Sequence, residues 1–235
     1  MSDNDTLPRE INLDSLFHKK SLFDSLKKLR EAGFQIVRPT EEGRVTVFGH
    51  ASVPGYLFKK FLRDSPHPYK KQLISYASRV GGARAVKAHL DALGIHSITV
   101  PRKWLCELPR RFRSSGKSEY IVVVEKCNLL ERNDTIERYR TISRDTLRDL
   151  CTIFFTFKSV DFSSKNLPFT AEGKIAYIDT GYVKRITEDL TFRRNNYKKY
   201  VDKWLLTEES RRYGKALWDE FVGRRDLLEG PPSVK

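Results

Sequence analysis

From Asp161 the chain reads Asp-Phe-Ser-Ser-Lys-Asn166, then Leu167-Pro168-Phe169, a Glu172-Gly173 pair, and Lys174-Ile-Ala-Tyr-Ile178 leading into Asp179-Thr-Gly181. The Glu-Gly pair marks a chain reversal, and the apolar run after it has the composition of a buried strand. A hairpin accommodates both. Asn166 enters it and Asp179 leaves it, so two side chains thirteen residues apart in sequence converge at its open end.

The residue types say what that end is suited to. Moving a γ-phosphoryl group depends on positioning and charge neutralisation, which calls for a residue to orient the attacking hydroxyl and for oxygen ligands to Mg²⁺. Mg²⁺ takes hard oxygen donors, commonly one or two carboxylates, with phosphate and water completing its shell. Asn166 and Asp179 are such donors, and Asp161 is the candidate hydroxyl-orienting base. Taken alone, the Asp161 to Asn166 spacing also fits a turn with a solvated Asp and a turn-forming Asn. The hairpin is what separates the two readings.

Upstream, Phe34-Gln-Ile-Val37 and Arg44-Val-Thr-Val-Phe48 flank the turn Pro39-Thr-Glu-Glu-Gly43, and the run from Tyr56 to Leu62 follows Pro54-Gly55. Three antiparallel strands are expected. Lys59 shares a strand face with Leu57, and Lys60 points the other way. Lys59 is the candidate phosphate ligand, set against the plainer reading of a solvated strand lysine.

Tyr-Leu-Phe-Lys59, Glu125-Lys-Cys-Asn-Leu-Leu130 after the apolar strand Tyr120 to Val124, Asp161 to Asn166, and Asp179-Thr-Gly181 occur in the order of the protein kinase motifs. Over residues 34–181 the chain resembles a reduced member of that superfamily, similar to the very small effector kinases of pathogenic and chlamydia-like bacteria. The resemblance implies an α+β, two-lobed protein-kinase-like fold. Residues 1–10 would be a flexible N-terminus. Residues 11–127 would form an N-lobe with an N-terminal helix, a small antiparallel sheet and helix C. Residues 128–235 would form a reduced helical C-lobe.

ATP and Mg²⁺ are the implied ligands, with the nucleotide between the lobes. Lys59 resembles the lysine that holds the α- and β-phosphates, and Glu125 to Cys127 resembles the hinge whose backbone meets adenine. Asp161 resembles the catalytic-loop Asp, Asn166 the second metal ligand and Asp179 the Asp of the D-F-G motif. The implied activity is transfer of the γ-phosphate to a Ser or Thr hydroxyl of a protein partner, with Tyr left open. The implied setting is the cytoplasm, or a host cytosol after secretion.

Departures from the pattern are plain in the sequence. Ser159 and Val160 replace the His and Arg before the catalytic Asp, Thr180 occupies the middle of D-F-G, and no A-P-E sequence follows. Only Gly43 is available in the turn where a Gly-rich loop would lie. Between Ser65 and Lys103 the only acidic residue is Asp91, so either Asp91 partners Lys59 or no helix-C carboxylate does. A kinase-shaped binding module without turnover is therefore an alternative.

Charge suggests another. The formal net charge is +14, and basic surfaces attract nucleic acid, anionic lipid or an acidic protein partner. The cations are spread over pairs such as Arg110-Arg111, Lys198-Lys199 and Arg224-Arg225, with no zinc-finger, RNP or helix-turn-helix signature. That favours a host protein with an acidic surface over sequence-specific nucleic acid. A lipid or small-molecule kinase at an anionic surface is the remaining reading.

Cys106, Cys127 and Cys151 have neither the number nor the spacing of a disulfide framework or zinc site, and a reducing cytosol suits them. No stretch has the roughly twenty apolar residues of a transmembrane helix, and the first residues lack a Sec signal. The remaining apolar spacing predicts one helix from Asp14 or Ser15 to Ala32, stopped by Gly33. Further helices are expected from Ala83 to Leu93, from Ser143 to about Phe157, from Leu190 to Leu206 and from Glu208 to Leu228. Gly81-Gly82 reads as a hinge or loop, and Ser97 to Val100 as a strand.

Overall fold

The structure, a computed structural model, describes residues 6–19, 21–38, 45–62, 68–112, 119–158, 165–181, 183–185 and 207–223. It is α+β. The chain divides into two units, one of Met1–Arg84 with Pro101–Cys127 and one of Ala85–Val100 with Asn128–Lys235.

In the first unit, five antiparallel strands form one sheet. They are β1 (Phe34–Arg38), β2 (Thr46–His50), β3 (Tyr56–Lys60), β5 (Lys103–Glu107) and β6 (Tyr120–Glu125), in the order β1-β2-β3-β6-β5. Directly paired residues share a face. The row Ile36, Phe48, Phe58, Val123 and Trp104 therefore crosses all five strands on one side. The row Val47, Lys59, Val122 and Leu105 lies on the other.

The N-terminal segment covers the first face, but not as one helix. It forms α1 (Leu13–Leu16), a 3-10 turn at Leu22–Asp24 and α2 (Leu26–Glu31). The single helix expected up to Ala32 fails for a steric reason. Leu16, Phe17, Leu22, Phe23 and Leu29 are all buried, and at about 100° per residue one helix would spread them around its whole circumference. Breaking the chain lets them all meet the sheet, where Phe17 lies 5.4 Å from Phe58 and 5.7 Å from Phe34 between ring centres. Local caps support the break: Asn12 Oδ1 accepts the N–H groups of Asp14 and Ser15, and Ser25 Oγ accepts that of Lys28.

Helix α3 (Tyr69–Ala92) begins well before the expected Ala83 and runs through Gly81-Gly82. Each glycine costs roughly 1 kcal/mol relative to alanine in a helix interior. Packing offsets that cost, because Tyr76 and Val80 join Phe61, Val122 and Val124 in a second core on the sheet's other face. The buried Tyr76 hydroxyl accepts the Phe61 N–H at 2.7 Å. At the far end Gly94 (φ +66) closes the helix, with the Ile95 N–H reaching back to the Leu90 carbonyl at 2.9 Å.

The second unit is built around α5 (Arg144–Thr156), capped by Ser143 Oγ accepting the Thr146 N–H at 3.1 Å. Its apolar side meets α6 (Glu208–Gly223) through Phe155 and Trp218, whose rings lie 5.1 Å apart. A further helix, α4 (Arg132–Arg140), stands where apolar spacing predicts none. The strand expected at Ser97 to Val100 is β4 (Ile98–Thr99), which belongs to this unit and pairs in parallel with β8 (Ile175–Ala176). After α5, β7 (Phe157–Lys158) pairs antiparallel with β9 (Lys184–Arg185). No helix among the described residues is long and apolar enough to cross a membrane.

Candidate functional site

Lys59 sits on β3, an inner strand, half-buried on the face that α3 packs against. It pairs with Val122 of β6, and three residues further β6 ends at Glu125. At about 3.3 Å per residue that is ~10 Å along the strand. The neighbouring Lys60 faces the other way and is only 4% exposed. Its ammonium lies 5.5 Å from the centre of the Phe23 ring and 5.9 Å from that of Tyr76, and desolvation lowers its pKa to about 7.

At the end of β6 the side chains form their own network. The Glu125 carboxylate receives Arg102 Nη2 at 3.0 Å, and the Arg102 guanidinium lies 5.4 Å over the Trp104 ring. Tyr56, paired with Glu125 across the ladder, donates its hydroxyl to Glu10 at 2.6 Å. That bond draws the Glu10 carboxyl below its ordinary range and raises the Tyr56 phenol. Backbone donors here are engaged too: the Glu125 N–H reaches the Arg102 carbonyl at 3.0 Å, and the Lys126 N–H the Gly55 carbonyl at 2.8 Å. Cys127, half-buried, is the last residue of the unit. Burial pushes the Cys106 and Cys151 thiols up to about 12, which suits packing and not nucleophilic attack.

The hairpin of the second unit has the form the sequence implies. Gly173 turns it with φ +81, and the N–H of Thr170 donates to the Lys174 carbonyl at 2.7 Å. Further along, Ala176 donates to Pro168 at 2.8 Å and Ile178 to Asn166 at 3.0 Å. Facing residues in such a ladder have Cα atoms about 5.5 Å apart, so Asn166 faces Ile178 at the open end and Asp179 is the next residue along. Asn166 is buried, at 6% exposure, and Asp179 is half-buried with Oδ1 accepting the Gly181 N–H at 3.3 Å.

The strand that delivers Asp179 is held on both sides. Ile175 and Tyr177 donate to the Ser97 and Thr99 carbonyls at 2.9 and 2.8 Å, while Ala176 and Ile178 donate the other way. All three residues Ile175, Ala176 and Tyr177 are 0% exposed. Helix α4 and the chain after Cys127 hold the other arm. Tyr139 Oη donates to the Leu167 carbonyl at 2.8 Å, Thr135 Oγ1 accepts the Phe169 N–H at 3.3 Å, and Leu130 N–H reaches the Phe169 carbonyl at 2.8 Å. Sequence reading missed Tyr139 and Thr135. Their signal was a pair one turn apart, the two buried residues of an otherwise charged helix.

Asp161, Ser159 and Val160 lie outside the described residues, as do Gly43 and the expected helix over 190–206. Asp91 is at the exposed end of α3 and closes on Lys87. As donors, the amide oxygen of Asn166 and the carboxylate of Asp179 match the hard-oxygen preference of Mg²⁺. Among the described residues no group of three His, Cys, Asp or Glu side chains could hold a metal, so an ion bound there would draw its remaining oxygens from phosphate and water.

No family model matches the chain, and no curated protein does. Among solved structures, the chain is similar to Rv3197 of Mycobacterium tuberculosis, solved in complex with erythromycin. Identity is 15% and the TM-score 0.41, over 74% of this chain and 52% of that one. The chain thus spans about half the length of that protein.

Proposed function

We propose that this chain is a minimal protein kinase, with a two-lobed kinase-like fold, that transfers the ATP γ-phosphate to a Ser or Thr hydroxyl of a protein partner. The observation that supports the reading is the bond from the Ile178 N–H to the Asn166 carbonyl, which brings the residue before Asp179 against Asn166 at the open end of the hairpin. Asn166 and Asp179 would hold Mg²⁺, which when bound neutralises phosphate charge. Lys59 would meet the α- and β-phosphates, and the Glu125 carbonyl with the Cys127 peptide would meet the adenine edge. Asp161 would accept the proton of the attacking hydroxyl as its oxygen bonds to the γ-phosphorus and ADP departs.

A specific observation favours a second reading, a nucleotide-binding module without turnover. Over its whole length α3 carries one acid, Asp91, and that acid is engaged by Lys87. In active kinases a helix-C carboxylate orients the phosphate-binding lysine, whereas the one acid of α3 is turned to Lys87.

Thermal unfolding with ATP, with and without Mg²⁺, tests both. Ligand at about a hundredfold over its dissociation constant adds about 2.7 kcal/mol, a rise on the order of 5 to 10 °C for a chain this size. The proposal expects a Mg²⁺-dependent rise that Asp179→Ala and Asn166→Ala abolish, followed by labelled-phosphate transfer that Asp161→Ala abolishes. A rise without transfer selects the binding module. No rise at millimolar ATP removes both.

A further inference from the structure

We infer that Tyr139 is a positioning residue for the metal-binding end of the hairpin, an inference that rests on the phosphoryl-transfer reading. The arm from Asn166 to Thr170 has strand-like alternation. Asn166, Pro168 and Thr170 bond toward β8 and its flanks, while Leu167 and Phe169 direct their backbone groups the other way. On that other side the backbone pairing among the described residues is one antiparallel bridge, Leu129 with Thr170, flanked by bonds from Leu130 to Phe169 and from Ala171 to Asn128. The Leu167 carbonyl is met by the Tyr139 hydroxyl, the Phe169 N–H by the Thr135 hydroxyl, and the Phe169 carbonyl by the Leu130 N–H. Toward Asn166, beyond that bridge, two side chains of α4 continue the edge.

The Tyr139 bond matters most because of where it falls. Leu167 follows Asn166 directly, and Pro168 after it has no N–H to donate. The Leu167 carbonyl is the backbone acceptor closest to Asn166 on that edge, and both Leu167 and Tyr139 are buried. A buried carbonyl that loses its donor drives the peptide to seek another. Any such rotation turns the Leu167–Pro168 peptide, and because the proline ring fixes its own φ the change is taken up at Leu167, the residue bonded to Asn166. The Tyr139 ring is separately fixed, 4.9 Å from Phe169 in a T-shaped contact, so removing the hydroxyl alone leaves the packing in place.

The experiment titrates Mg²⁺ at fixed ATP and reads the ion concentration that gives half of the thermal stabilisation. For Tyr139→Phe the expected result is a half-point about 3- to 10-fold higher than wild type, the range of one lost hydrogen bond. ATP binding without Mg²⁺ stays unchanged. Thr135→Val shifts the half-point the same way and Thr135→Ser restores it, which keeps the test decisive if Tyr139→Phe does not fold. Phe155→Leu, a packing change against Trp218, lowers the unfolding midpoint and leaves the Mg²⁺ half-point where it was. A Tyr139→Phe or Thr135→Val half-point equal to wild type overturns the positioning role while leaving the kinase reading intact. A wild type without any Mg²⁺-dependent response overturns both.

Discussion

Lys87 Nζ lies 3.0 Å from each carboxylate oxygen of Asp91, one helical turn apart on the exposed side of α3. The pair spends the only acid that helix owns, and the geometry is the ordinary i, i+4 arrangement of a solvated helix face. Such pairs contribute about 0.3–0.5 kcal/mol.

Asp91→Ala should therefore move the unfolding midpoint by little more than a degree and leave any response to Mg²⁺ and ATP unchanged. If instead the nucleotide response disappeared, Asp91 would be acting on Lys59 after all, and thermal shifts on the single variant decide it.

Lys60 gives a pH dependence with a definite sign. Its pKa falls from 10.5 in the unfolded chain to about 7 in the fold. Between those values the unfolded state binds the extra proton, so stability rises as pH rises through that window, and below about 7 the full cost of burying the charge is present. The rings of Phe23 and Tyr76 favour the charged form and reduce the cost. Lys60→Met should stabilise the protein at pH 6 by an amount on the order of a few kcal/mol, and the gain should shrink toward pH 10. A difference between wild type and variant that is flat from pH 6 to 10 would contradict this.

Gly173 occupies the left-handed region, and a Cβ built there meets nothing within 4 Å. Gly173→Ala is thus penalised by backbone strain alone, about 1 kcal/mol, measurable as a lower denaturation midpoint with an unchanged slope.

Glu125 offers its backbone, not its carboxylate, to the proposed nucleotide site. Its side chain is spent on Arg102 in an ion pair that is 46% and 39% exposed on the two sides, and such pairs contribute between 0 and about 1 kcal/mol. Glu125→Gln should leave ATP binding unaltered in a direct titration. A tenfold loss would mean that the carboxylate itself touches the ligand.

Ser143→Ala removes the oxygen that caps α5 and should cost about 1 kcal/mol without altering nucleotide affinity, which urea unfolding and a binding isotherm would check together.

What was legible in the sequence was local. The hairpin around Gly173, the sheet strands with their alternating apolar residues, the Ser143 cap and the Gly94 stop each follow from a few neighbouring residues. What was not legible depended on partners distant in sequence. The N-terminal helix breaks up because Leu16, Phe17, Leu22 and Phe23 must all reach the sheet, and local spacing does not reveal a sheet that needs them. Gly81-Gly82 stays helical because Tyr76 and Val80 are anchored on that sheet. The parallel pairing of Ile98 with Ile175 joins segments with no common pattern. In the candidate site, Asn166 and Asp179 could be read together because one turn links them. Tyr139 and Thr135 were hidden in a run, Arg132–Arg140, too polar to announce a packed face.

The strand leading to Asp179 donates alternately, Ile175 and Tyr177 to one neighbour and Ala176 and Ile178 to the other. Substitution and length are constrained differently there. A replaced side chain changes one packing contact, whereas a single residue inserted between Gly173 and Asp179 would turn every later N–H toward the wrong neighbour and carry Asp179 to the opposite side. The loop at Glu172 can vary in composition and the arm can absorb conservative exchanges. The number of residues from turn to Asp179 is the quantity that descendants of this chain would have to inherit unchanged.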